Sequence, residues 1–208
     1  MNIHQVANLI KTTGTEVTYV VDGVPGIGKS SILSLLKKDS KFKDYEHIYV
    51  DCPTMDIPDV QLPYVEHGVS KFATNALWGV ENDRPKLIML DELPKSSNVT
   101  RLLFTRLLLE HQIGAYKLPE GSVVFATGNR NKDGVGDTYP AHMMNRVCSI
   151  HMNKPTPEEW IDWAEDNKID PIILAWVKQF PHCLAEDEVN NPYIFNPKTN
   201  TTSFVSPR

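Results

Sequence analysis

Apolar positions along the chain follow two periods. Ile3, Val6, Ala7 and Ile10 recur at helical spacing and stop near Gly14, which predicts a short amphipathic helix ahead of the first strand. Strands are predicted at 17–21, 47–50, 87–90, 123–127 and 147–152, with 87–90 and 123–127 uninterrupted enough to be buried on both faces. Helices are predicted between them at 29–38, 69–78, 99–111 and 140–146, with Asn98 as the N-cap of the third. The proline-rich stretch 52–68 and the segment 114–122 read as irregular and turn-like. Such alternation of strand and helix predicts an α/β fold built on a parallel five-stranded sheet.

The pattern changes at Lys154-Pro155. Thr156-Pro157-Glu158-Glu159 reads as a capping box with proline at the first helical position, and Asp170-Pro171 opens a second helix in the same way. Trp160, Trp163 and Ala164 in one helix, with Ile173, Trp176, Val177 and Phe180 in the next, predict two facing stripes of a helical hairpin packed on itself and the sheet. Residues 181–208 have no clear periodicity.

Composition narrows the class. With 208 residues, 41% hydrophobic and 23% charged, the chain can bury one sizeable core, or two if the second is small. Its apolar runs are far shorter than the roughly 18–20 residues that cross a bilayer. A net charge of −5 argues against a surface that coats nucleic acid indiscriminately. The N-terminus lacks the pattern of a secretory signal. Cys52, Cys148 and Cys183 stand far apart without a CxxC, so they are expected as small core residues in a reducing cytoplasm.

Candidate chemistry begins at Gly23-Val24-Pro25-Gly26-Ile27-Gly28-Lys29-Ser30, a full G-x-x-x-x-G-K-[ST] pattern between a predicted strand and a predicted helix. Glycines let such a loop curl around anionic oxygens, and the helix start aims backbone N–H groups at a phosphate chain. Residues 23–30 and Ser31 are the expected nucleotide contacts, with Lys29 reaching the β- and γ-phosphates and Ser30 a ligand of Mg²⁺. Asp91-Glu92 ends the apolar run LIML at what would be the C-terminal edge of a parallel sheet, where ligands bind in open α/β folds. Asp91 suits a magnesium site and Glu92 a general base. The run VVFAT ends in Gly128-Asn129-Arg130, which places an amide beside both.

GVPGIGKS, LIMLDEL, LEHQIGAYKLPEG, FATGNR and PAHMMNRV occur in the order and approximate spacing of AAA+ ATPases, and over nearly its whole length the chain most resembles the MoxR-type branch of bacteria and tailed phages. The resemblance implies ATP and Mg²⁺, catalytic base Glu92, sensor 1 at Asn129, and an arginine finger at Arg146 acting on the neighbouring subunit's nucleotide. Arg101, Arg106 and Arg130 are rivals for that last role. It places a sensor 2 arginine at Arg208, within Ser206-Pro207-Arg208, and so divides the chain into a nucleotide-binding core, 1–152, and a partial helical lid, 153–208, cut short where its third helix should begin. It implies a homo-oligomeric ring, expected as a hexamer, with chaperone-like remodelling of a protein client, often a von Willebrand factor A-domain protein. Residues 52–68, with Met55, Ile57, Leu62, Pro63 and Tyr64, fall where such proteins carry a pore-facing loop, and Lys117 could face the same pore. A P-loop phosphotransferase and a nucleotide-gated DNA-binding module are the alternatives.

Overall fold

The computed structural model describes residues 1–129, 143, 145–184 and 205–207. Helix α1 (Ile3–Thr13) forms where the apolar stripe predicts it, and Asn2 with Gln5 closes a capping box at its start. The chain is still turning after it, with the amides of Glu16 and Val17 both bonded to Thr13 O at 2.9 Å. Strand β1 (Tyr19–Gly23) therefore begins two residues later than expected. Helix α2 (Ser31–Lys37) and strand β2 (Glu46–Asp51) follow.

Strand β5 (Lys86–Asp91), helix α4 (Asn98–Glu110), strand β8 (Val123–Asn129) and strand β9 (Cys148–His151) complete the core, and the sheet runs in the order β2-β5-β8-β1-β9 with every pair parallel. Alternate residues of each strand face opposite layers. Val20, Ile88, Leu90, Val124 and Ala126 pack with Trp78, Phe104 and Leu107 on the α4 side. Val21, Met89 and Phe125 pack with Val6 and Ile10 of α1 and Ile32 and Leu36 of α2 on the other. The result is the expected three-layer α/β core.

Between β2 and β5 the expectations fail. Residues 52–68 are not irregular and 69–78 is not a helix: a one-turn helix α3 (Ile57–Val60) leads into a hairpin of β3 (Gln61–Glu66) and β4 (Val69–Thr74). Its two-residue turn sets both His67 (φ 52°) and Gly68 (φ 75°) in the left-handed region, the backbone that matches the twist of paired strands. Six cross-strand pairs override whatever helical preference 69–74 has alone. Segment 114–122 likewise includes part of a small hairpin, β6 (Gln112–Ile113) with β7 (Tyr116–Lys117). The N-cap of α4 is Ser97 rather than Asn98, its side chain accepting from the Thr100 amide at 3.2 Å. Most of the predicted 140–146 helix lies outside the described residues.

Helices α5 (Pro157–Asp166) and α6 (Pro171–Gln179) carry the predicted caps. Trp160, Ala164, Val177, Cys183 and Leu184 form a third, smaller apolar cluster, yet Trp163, Ile173, Trp176 and Phe180 stay between 37% and 49% exposed, so the stripes bury only in part. Cys52 and Cys183 are buried but Cys148 is exposed, contrary to expectation. Among the described residues no helix is long and apolar enough to cross a membrane.

One buried charge anchors the sheet at its N-terminal edge. The Lys86 side chain is fully buried, and its ammonium donates to Glu46 Oε2 at 2.6 Å, Asn82 Oδ1 at 2.7 Å and Asn82 O at 3.2 Å. The Lys86 bond, seconded by Asn82, holds the Glu46 carboxyl below its ordinary 4.5. A depressed carboxylate contributes stability above its ordinary range and loses it as pH falls through the lowered value. Glu46→Gln should cost about 2 kcal/mol in denaturant unfolding at neutral pH, under the range for fully buried pairs because Glu46 keeps some contact with water. The same variant should show a shallower loss of stability than wild type below about pH 4.5.

Candidate functional site

Three central strands end side by side at the C-terminal edge of the sheet, and the loop after β1 curls over them. Gly26 (φ 79°) and Gly28 (φ 93°) take left-handed backbone that a side chain would strain, and a Cβ on Gly26 would also lie 2.7 Å from that of Ser206. The loop folds back on Lys29, which is nearly buried and donates to Gly23 O at 2.8 Å, Val24 O at 2.9 Å and Asn129 Oδ1 at 2.9 Å. An amide at the end of β8 thus meets the ammonium 100 residues earlier in the chain.

Asp91, at the end of β5, is the hub. Its Oδ2 accepts from Ser30 Oγ at 2.9 Å and from Tyr49 OH at 2.8 Å, and its Oδ1 accepts from Thr127 Oγ1. Burial first, and then Asp91, pushes the Tyr49 phenol up, so it remains a donor. Thr127 Oγ1 also accepts from the Glu92 amide at 3.2 Å. That bond supports a left-handed Glu92 (φ 51°, ψ 37°), a conformation costing about 1–2 kcal/mol in a residue with a Cβ. Non-glycine strain of this kind concentrates at functional sites. It turns the Glu92 side chain off the strand to the rim, where it pairs with Lys95 Nζ at 2.7 Å.

Lys29, Ser30, Tyr49, Asp91, Glu92 and Asn129 line a cavity of about 580 Å³. Ile3, Met152, Pro155, Trp160 and Trp163 are also in its wall, with Asn2, His4, Asn153 and Glu159 beside them. Ser30 Oγ beside the Asp91 carboxylate is a hard-oxygen pair of the kind magnesium takes together with phosphate oxygens. The glycine loop and Lys29 fit a phosphate chain next to it.

Solved structures repeat this architecture. A candidate ATPase from Cytophaga hutchinsonii superposes with a TM-score of 0.56 at 17% identity, covering 81% of this chain and 51% of that one. NtrX from Brucella abortus in complex with ADP gives 0.53 at 14% identity, over 94% and 51% of the two chains. A RuvB variant from Thermotoga maritima gives 0.53 at 13% identity, over 79% and 48%. The fold is that of an AAA+ ATPase. The chain spans about half the length of these structures. No family model matches its sequence, and no curated protein does.

Within this core, Lys29, Ser30, Asp91 and Asn129 converge, Glu92 stands at the rim, and the loop residues Pro25 to Ser31 line the cavity. Arg146 does not converge with them: it lies exposed in the turn before β9, at the opposite edge of the sheet, a strand's length of roughly 10 Å or more away. Arg101 bonds Ser96 O and Arg106 pairs with Glu110 on α4. Arg130 and Arg208 lie outside the described residues, but Ser206 packs on Gly26, and Pro207 O accepts from Trp160 Nε1 at 2.9 Å. Leu62 and Tyr64 are exposed on the β3–β4 hairpin, Met55 packs on the core, and Lys117 is exposed on β7.

Tyr49, Thr127 and Lys95 escape the motif reading. Strand parity was the available signal for two of them, since Tyr49 shares a face with Asp51, and Thr127 with Asn129. Thr127→Val keeps the volume but strips Asp91 Oδ1 of its donor and the Glu92 amide of its acceptor. It should lower unfolding free energy by about 2 kcal/mol in chemical denaturation, the cost of stranding buried polar groups.

Proposed function

We propose that this chain is a magnesium-dependent AAA+ ATPase of the MoxR type that hydrolyses ATP within a homo-oligomeric ring, of six copies, to remodel a protein client. The observation that carries the reading is the convergence of Lys29, Ser30, Asp91 and Asn129 from three strand ends on one cavity. The ADP bound to NtrX, a protein of the same fold, supports an adenine nucleotide. The triphosphate would follow the loop from Gly23 to Ser31, and the base would pack against apolar side chains of the wall, among them Ile3, Met152 and Trp160.

Lys29 would stabilise charge on the β- and γ-phosphates, and Ser30 and Asp91 are the groups that would hold Mg²⁺. When bound, that cation supplies electrostatic stabilisation of the charge developing on the phosphates. Glu92, turned from Lys95 to a water, would take its proton as the water oxygen bonds the γ-phosphorus and the bond to the bridging oxygen breaks, giving ADP and phosphate. Asn129 would orient that water. The distance of Arg146 from its own cavity favours action on a neighbour's nucleotide, as an arginine supplied in trans. Residues 153–208 would form the lid over the core 1–152, with Arg208 as its sensor 2.

The exposed apolar and aromatic side chains of the β3–β4 hairpin favour a polypeptide client, such as a von Willebrand factor A-domain protein, and the net charge of −5 counts against nucleic acid. A cytoplasmic setting completes the reading. ATP turnover measured against protein concentration, with mass determined alongside, tests it. Activity per chain should rise with assembly, Glu92→Gln should bind ATP with turnover reduced at least about 100-fold, and Arg146→Ala should lose about 1,000-fold. Activity per chain that is flat with concentration, together with a silent Arg146→Ala, would exclude the ring mechanism.

A further inference from the structure

Three hydroxyls meet the Asp91 carboxylate, and two belong to segments the phosphate-loop fold already requires: Ser30 to the loop and Thr127 to β8. The third comes from elsewhere. Tyr49 stands on β2, opposite Met89 of β5, and its side chain leans along the strand to reach Asp91 two residues farther on. Core packing does not account for an aromatic ring here. Its neighbours Ile48 and Val50 are buried on the α4 side, whereas Tyr49 points the other way and is 46% exposed at the cavity wall.

We infer that Tyr49 is a positioning residue for the divalent cation of this site, acting through Asp91. The inference rests on the magnesium nucleotide reading above. Serine has one hydroxyl proton, and while Ser30 gives it to Asp91 Oδ2 only the oxygen lone pairs can face a cation. That arrangement lasts as long as Oδ2 stays where it is. Tyr49 bonds the same oxygen at 2.8 Å and, with Thr127 on Oδ1, leaves the carboxylate no free rotation.

A phenol suits the task because it orients the carboxylate without adding charge. A lysine or arginine at 49 would neutralise Asp91 and repel the cation, and a phenylalanine would leave Oδ2 held by Ser30 alone. Partners that orient metal-site groups in this way set affinity for the metal rather than for the rest of the ligand.

The test uses the full chain and a fluorescent, non-hydrolysable ATP analogue, with binding titrated in EDTA and across a Mg²⁺ series. Tyr49→Phe keeps the ring, and its binding in EDTA should match wild type. Its half-saturating Mg²⁺ concentration should rise about 10-fold, in the range seen when such orienting partners are removed. A Tyr49→Phe protein with the wild-type Mg²⁺ dependence overturns the inference, and so does an equal loss of affinity with and without Mg²⁺, which marks a merely structural residue. If wild type itself binds the analogue identically in EDTA and in Mg²⁺, the magnesium reading falls, and this inference falls with it.

Discussion

The Asp91 carboxylate is the constraint on which the site depends. It is almost fully buried, and among the described residues three hydroxyls donate to it. Hydrogen bonds satisfy both of its oxygens, as a buried polar group requires. Each hydroxyl belongs to a different element: the loop after β1, β2 and β8. Any shift of one strand along another would break at least one bond, so the ladder register and the polar centre enforce each other.

Lys29 performs the complementary task on the neighbouring strand pair. Among the described residues it donates to the start of its own loop and to Asn129 on β8, so a cation and an anion are held a few residues apart by the same strand. The Glu92 amide closes the circuit through Thr127, and the cost of its left-handed backbone is offset there. Pro207 and Trp160 add a contact between the C-terminal segment and α5, and Asn2 donates to Glu159 at 3.0 Å, so both segments are tied to α5 beside the cavity.

Much of this was legible in the residues. Apolar runs such as LIML and VVFAT are buried on both faces because a parallel central strand offers them nowhere else to go, and they end in polar groups where the sheet meets the cavity. Capping chemistry placed the starts of α5 and α6 to the residue. The β3–β4 hairpin was not legible, because exposed strands lack a buried face to impose alternation and their pairing is a relation between segments. Tyr49 was hidden for a related reason. Strand parity gives its face, but its nearness to Asp91 depends on β2 pairing with β5 in one register, a fact no local window contains.

If the cavity is a nucleotide site, its backbone should respond where the geometry says, and hydrogen–deuterium exchange of the full chain with and without Mg·ATP reads this most directly. The account predicts slowed exchange in 24–31, whose amides would face the phosphates, and around Asp91–Leu93. Unchanged exchange in those two segments at saturating nucleotide, with protection confined to other parts of the chain, would contradict it.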